Sequence, residues 1–292
     1  MKSGRRSSSG KWTSMFSGRK LLIATRHDKQ SVIAPLVERE LGFSCMVLPD
    51  LDTDSLGTFS GEVERIDDPV TTARNKCRLG MLLAECDAAI ASEGSFGPHP
   101  SIPFVPVDEE LLLFVDRRFG LEIHVSEMSP ETNFNGSDIY VKDELVKFAN
   151  RALFPSHGLI IRGGQHDFRD MKKGITDWDT LLGEFERMRE QYGKAYVETD
   201  MRAIYNPTRM AVIKRTAEKL VKKINNRCPS CETPGFGIQD RRAGLVCELC
   251  RRPTRGTLSY TYACQRCGYE KEELYPDGKQ AEDPMYCDFC NP

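Results

Sequence analysis

The sequence predicts an α/β domain, built as a mixed sheet flanked by helices, ahead of a small cysteine-rich domain. Three observations carry the prediction. A strand–helix–strand pattern opens at residues 21–48. Apolar residues then recur at helical spacing in three later segments, between short apolar runs that read as strands. Eight of the eleven cysteines fall in four Cys-x-x-Cys pairs after residue 227. The expected organisation is a disordered basic tail at 1–19, an α/β domain at 20–226 and the cysteine module at 227–292.

Taken in order, residues 1–20 are rich in Ser, Lys and Arg, and the first acid is Asp28. That composition reads as a solvated tail of a cytoplasmic protein, or alternatively as an organelle transit peptide. Leu21–Thr25 is a short apolar run that suits a buried strand. Val32, Leu36, Val37 and Leu41 follow at helical spacing, with Gly42 as the stop signal and Pro35 placing the start near Val32. Phe43–Leu48 reads as the next strand. Asp50–Glu64 is polar and acidic, hence a loop. A helix is expected from Pro69 to about Glu85, its inner face made by Ala73, Cys77, Gly80, Met81 and Ala84. Ala88–Ser92 then reads as a central strand, ending in Glu93 and a Gly94–Gly97 loop.

Leu111–Val115 and Leu121–Val125 read as a hairpin. Helices follow on the stripes Leu145–Leu153 and Trp178–Tyr192. A last one starts at Asn206-Pro207 and carries Met210, Ile213, Ala217, Leu220 and Ile224 inward. Arg209, Lys214, Arg215, Lys219, Lys222 and Lys223 are expected on its solvated face.

The pairs Cys228/Cys231, Cys247/Cys250, Cys264/Cys267 and Cys287/Cys290 each place two thiolates on one tight turn. Two such turns make a four-cysteine zinc site, so two structural zinc ions are expected in a double zinc ribbon. The intervals match ribbon spacing when the first pair joins the second and the third joins the fourth; interleaved pairing is the alternative. Four thiolates per ion leave no open position for a substrate. Thiols in this number, clustered for metal, point to a reducing compartment. Arg241, Arg242, Arg251, Arg252 and Arg255, with Tyr260 and Tyr262, make nucleic acid or a protein the expected partner of the module.

Net charge is -2 and 29% of residues are charged, which excludes binding of polyanions by bulk electrostatics. No run approaches the ~18 apolar residues of a membrane helix, so no membrane partner is expected. Chemistry concentrates at Thr58–Pro100. Glu62, Glu64 and Glu93, with Asp108 or Glu110 as further acids, could hold Mg²⁺. Thr25, Lys29, Arg65, Arg74 and Lys76 could hold phosphate. Glu93 is the sharpest signal, because a carboxylate on an apolar strand is costly unless used or paired. A nucleotide or phosphorylated small molecule is the expected substrate class. Neither the P-loop, the Rossmann fingerprint nor the His-Glu-x-x-His motif occurs. Gly94-Ser95-Phe96-Gly97 is not a nucleophile elbow.

The stretches ATRHDK (24–29), GTFSGEVERIDDP (57–69), ASEGSFGPHP (91–100), ETDMRAIYNP (198–207) and the paired cysteines resemble a bacterial-type family of unknown function. Residues 21–95 also resemble the inosine/xanthosine triphosphate pyrophosphatase superfamily. Thr25 and Lys29 match its first-strand motif, Glu62 or Glu64 its loop acid, Ala73–Lys76 its helix and Glu93 its strand-end acid. That resemblance implies a Mg²⁺-dependent nucleotide hydrolase. The motif's asparagine is missing here, and Glu93 stands where aspartates are usual. The runner-up expectation is a non-catalytic adaptor acting through its zinc ribbons.

Overall fold

The computed structural model describes residues 15–49 and 67–292. The chain divides into two compact units, one up to Val221 and one from Lys222 onward. Each is described by itself.

The first unit is mixed α/β, with two sheets among its described residues. The first sheet comprises β1 (Lys20–Ala24), β2 (Ser44–Met46), β3 (Ala88–His99), β4 (Ile102–Asp116) and β5 (Leu121–Ser129), in the order β2-β1-β3-β4-β5. β1 is parallel to β2 and β3, while β3, β4 and β5 form an antiparallel meander. The sheet is therefore mixed, with its parallel part where the sequence opens. Helix α1 (Gln30–Leu41) links β1 to β2 and ends at Gly42, whose φ of 79° needs no Cβ. It begins two residues before the expected Val32, so Pro35 lies inside it. Helix α2 (Pro69–Leu83) starts where Asp68 accepts hydrogen bonds from the backbone N–H groups of Val70 and Thr71 at 3.0 and 3.1 Å, with Pro69 in its first turn. Its Ala73, Cys77 and Met81 bury against Leu22, Ala24, Ala89, Ala91, Leu111 and Leu113, the residues of one sheet face. Strand alternation sends Leu21, Ile23, Ile90 and Phe114 to the other face.

There, Phe16 stacks on Phe43 with ring centroids 4.8 Å apart and meets Phe114 edge-on at 6.0 Å. Arg19 bridges Asp116 and Asp87, each at 2.7 Å. The expected tail to residue 19 is thus too long. Phe16 is buried because it completes this aromatic cluster, and the half-buried Arg19 neutralises two acids at one end of the sheet.

The second sheet has the order β6-β9-β7-β8, from β6 (Gly136–Ile139), β7 (Leu159–Arg162), β8 (Met171–Ile175) and β9 (Ala195–Thr199), and is wholly antiparallel. Helices α3 (Lys142–Arg151) and α4 (Trp178–Tyr192) pack on it through Leu145, Phe148, Leu181, Phe185 and Met188. Helix α5 (Pro207–Asn225) follows the expected Asn206 cap, whose Oδ1 accepts from the Arg209 N–H at 3.0 Å. The division between the units falls within α5.

The second unit is a three-stranded antiparallel meander of β10 (Gly237–Ala243), β11 (Thr257–Ala263) and β12 (Glu270–Leu274). Among the described residues no helix is long and apolar enough to cross a membrane.

Candidate functional site

The Gly94–Gly97 segment is not a loop. β3 runs unbroken from Ala88 to His99 and pairs with β4 along its whole length, so Glu93 lies within a strand rather than at its tip. β3 and β4 are joined by a tight hairpin turn between His99 and Ile102. Its His99 accepts a hydrogen bond through Nδ1 from the Ser101 N–H at 3.1 Å, a turn role. The physical reason is pairing: β4 supplies backbone partners for every residue that the Gly-rich composition left unassigned.

β1 stops at Ala24, opposite Ala91, while β3 continues. Polar residues collect at that step, outside the carboxyl ends of the two parallel strands. In sheets with parallel strands this is where ligands bind. Register sorts them by face. Ser92, Gly94 and Phe96 oppose Leu112, Glu110 and Asp108 on one face; Glu93 opposes Leu111 on the face covered by α2.

On the α2 face, the Lys76 ammonium lies 2.6 Å from Glu93 Oε1, both side chains being at most 10% exposed. Lys76 was expected near phosphate; here it neutralises Glu93. On the other face the Lys29 ammonium, almost fully buried, donates to Ser92 Oγ at 2.8 Å. Burial, with the positive charges of Arg209 and Lys76, pushes Lys29 down to about 8, against the pull of Glu110 and Glu93. Thr25 is buried at the end of β1, and its hydroxyl has no hydrogen-bond partner among the described residues.

Beside Lys29 lies an acid pair. Glu110 Oε1 accepts from Arg209 Nε at 2.6 Å, and both side chains are sealed from solvent. Arg209 also donates to the Met201 carbonyl and lies 5.1 Å over the Phe96 ring. The expectation that Arg209 belongs to the solvated face of its helix is therefore corrected. Arg209 is the residue three before Val212 and four before Ile213, so it shares their buried stripe, and a carboxylate waits there for it. Asp108 is fully buried beside Glu110, and among the described residues no other group hydrogen-bonds to either of its oxygens or to Glu110 Oε2. Burial first, then the neighbouring Glu110, pushes the Asp108 carboxyl up to about 8. Arg209 and Lys29 offset this only in part.

Gly94 makes the arrangement possible. A Cβ there would stand 2.4 Å from Arg209 Nη2 and 2.6 Å from Glu110 Oε1. Gly94→Ala is expected to cost about 1–3 kcal/mol by overpacking, measured as a lowered denaturation midpoint with unchanged m-value. An unchanged midpoint would mean that the Arg209–Glu110 pair yields freely.

The remaining expected site residues divide as follows. Thr25, Lys29, Lys76 and Glu93 are gathered at the step. Arg74 is instead engaged with Glu122 of β5, through Nε to Oε2 at 2.9 Å and Nη2 to Oε1 at 2.5 Å. Glu62, Glu64 and Arg65 lie outside the described residues. Asp108 and Glu110, named from sequence only as further acids, take the central place. Among the described residues no three carboxylates converge as a metal site.

The cysteines form two four-thiol groups: Cys228, Cys231, Cys264 and Cys267, and Cys247, Cys250, Cys287 and Cys290. The pairing is interleaved, first with third and second with fourth, correcting the sequential pairing. The meander dictates it. The first pair precedes β10 and the third sits in the β11–β12 turn, so both reach one end of the sheet. The second pair lies between β10 and β11 and the fourth follows β12, at the opposite end. Backbone N–H groups of Glu232, Arg251, Gly268 and Asn291 donate to the carbonyls of Cys228, Cys247, Cys264 and Cys287, closing each turn. Cross-pair Sγ···Sγ separations are 3.6, 3.6, 3.8 and 3.6 Å. A tetrahedron with Zn–S bonds of about 2.3 Å has edges of about 3.8 Å, so the thiols fit two zinc ions.

Interleaving makes a specific expectation. In Cys228→Ser, Cys264 and Cys267 should become reactive to a thiol reagent while Cys247 and Cys250 stay protected, read by peptide mapping. Protection of Cys264 together with exposure of Cys247 would restore sequential pairing.

Compared with known proteins, the chain matches no curated protein. The sequence profile of a domain of unknown function (DUF6671) matches residues 76–292, which take in the second half of α2, the hairpin with Asp108 and Glu110, Arg209 and all eight paired cysteines. The chain belongs to this DUF6671 family.

Proposed function

We propose that the first unit is a Mg²⁺-dependent hydrolase of a nucleotide or another phosphate ester, with its site at the step between β1 and β3. One observation carries the reading: Asp108 and Glu110 are buried acids side by side, and among the described residues no donor outside the pair reaches Asp108 or Glu110 Oε2. An acid pair sealed in this way is costly by itself and is relieved by a cation. Mg²⁺ is usually held by one or two carboxylates, with substrate phosphate and water completing its shell. Asp108 and Glu110 would hold it, and the ion would polarise the phosphoryl group and neutralise charge in the transition state. Lys29 and the Thr25 hydroxyl are the donors within the same cluster for phosphate oxygens. Arg209 fixes Glu110 so that one carboxylate oxygen stays available. Glu93, paired with Lys76, tunes the field at Lys29 from the opposite face. The resemblance of residues 21–95 to the inosine/xanthosine triphosphate pyrophosphatase superfamily implies the same class of chemistry, but it places the metal acids at Glu62 or Glu64 and Glu93 rather than at Asp108 and Glu110.

The test is a panel of nucleoside triphosphates and phosphate monoesters with Mg²⁺, followed as phosphate or pyrophosphate release. Lys29 gives it a pH signature. Its ammonium is needed for phosphate and its free-protein pKa is about 8, so kcat/KM should fall as pH rises through about that value. Lys29→Arg should move this limb to higher pH, and Lys29→Met should lower kcat/KM at every pH. A limb unmoved in Lys29→Arg would take Lys29 out of the mechanism.

A second reading concerns the zinc module and rests on a separate observation. Leu249, Met285, Tyr286 and Phe289, all well exposed, surround the second thiol group. Two of the module's arginines are matched by acids, Arg242 by Glu272 at 2.8 Å and Arg255 by Asp288 at 3.1 Å, while Arg252 lies 4.2 Å over the Phe289 ring. Apolar knuckles with balanced charge favour a protein partner over nucleic acid.

A further inference from the structure

A cavity of about 490 Å³ lies between α2 and the turn from β4 to β5, apart from the residues assigned above to the hydrolase site. Arg74, Arg78 and Arg117 line it, with Asp116 and Glu122 as its acids. Both acids are engaged. Glu122 is held by Arg74 in the bidentate contact described above. Asp116 accepts from Arg19 at 2.7 and 3.0 Å and from the backbone N–H groups of Arg118 and Phe119. Among the described residues Arg78 and Arg117 make no ion pair, although Arg78 lies within the field of Glu122, so two guanidinium groups on the lining carry no direct carboxylate contact. The remaining wall is apolar, from Met81, Val115 and Leu121. A concave site of this size, with an apolar wall and a few convergent charges, has the make-up of a small-molecule pocket.

We propose that this cavity is a second ligand site, taking a phosphate monoester with a compact apolar substituent. The phosphate dianion, at about -1.5 to -2 charge near neutral pH, lies between Arg78 and Arg117, whose planar donors suit phosphate oxygens. The substituent rests on Met81, Val115 and Leu121. Asp116 and Glu122 on the lining disfavour a polyanion such as nucleic acid, which would bring more negative charge past them. The proposal goes beyond the hydrolase reading and stands or falls separately from it.

Calorimetric titration of the full-length protein with phenyl phosphate, at constant ionic strength, tests it. Binding is expected in the millimolar range or tighter, with inorganic phosphate weaker because it lacks the apolar group. Arg78→Gln combined with Arg117→Gln, both exposed positions, should weaken phenyl phosphate at least tenfold. Lys29→Met, which disables the proposed hydrolase site, should leave it unchanged. The proposal is overturned by no binding up to tens of millimolar, by a double variant that binds like the unmodified protein, or by loss of binding in Lys29→Met, which would assign the ligand to the other cluster.

Discussion

Asp108→Asn is expected to lower turnover by about two orders of magnitude or more, the scale of losing a group that stabilises transition-state charge. In magnesium-free buffer the same change should raise stability, and the pH dependence follows from the direction of the shift. The Asp108 carboxyl is raised in the folded protein to about 8 by burial and by Glu110. A raised pKa means that the folded chain holds a proton which the unfolded chain releases at about 3.9. Its contribution to stability is complete below that value, declines as pH rises, and is lost once pH passes about 8. Asparagine has no such slope. The variant's advantage should therefore grow from pH 4 to pH 8 and level off above. Thermal melts at several pH values check it, each with and without Mg²⁺. The unmodified protein should melt higher with Mg²⁺ and Asp108→Asn should not respond. A variant that melts lower at pH 8 and still gains from Mg²⁺ would remove Asp108 from the metal site.

The proposed site was partly legible in the sequence, and the illegible part has physical causes. Glu93 stood out because an acid on an apolar strand must be used or paired, and the structure pairs it with Lys76. Thr25 and Lys29 followed from their place after the first strand. Asp108 and Glu110 alternate along β4 with Val107, Glu109 and Leu111, a pattern that resembles a half-exposed strand. Only the pairing of β3 over its full length shows that both acids are buried beyond the end of β1. The Gly-rich stretch was misread because glycine marks loops locally, whereas here Gly94 makes room for side chains on the neighbouring strand and on α5.

For the cysteines, spacing fixes how many sites there are and leaves their partners open. Partners are set by which end of a meander each turn occupies. Arg209 had a usable signal that charge obscured. Helical period alone places it on the stripe of Val212, Ile213 and Thr216, and its basic neighbours Lys214 and Arg215 drew it into the wrong face.

Arg209→Leu carries the largest expected loss of stability. It leaves Glu110 charged, buried and without its cation, at a cost of about 3–5 kcal/mol. The partner lies 99 residues away in the chain, so the pair ties α5 to β4. Arg209→Lys should recover little of it. A single ammonium cannot serve Glu110 and the Met201 carbonyl from one plane, as the guanidinium does. Arg209→Leu combined with Glu110→Leu separates structure from chemistry. With both charges gone, two apolar side chains fill the space, and the double variant should be clearly more stable than Arg209→Leu alone. Activity should nevertheless stay lost, because Glu110 is proposed to hold the cation. Denaturant titrations of the two single variants and the double variant, alongside turnover, complete the cycle. A double variant that regains both stability and turnover would make the pair a structural tie only, and the acid–cation cluster at the end of β1 would then have to act without Glu110.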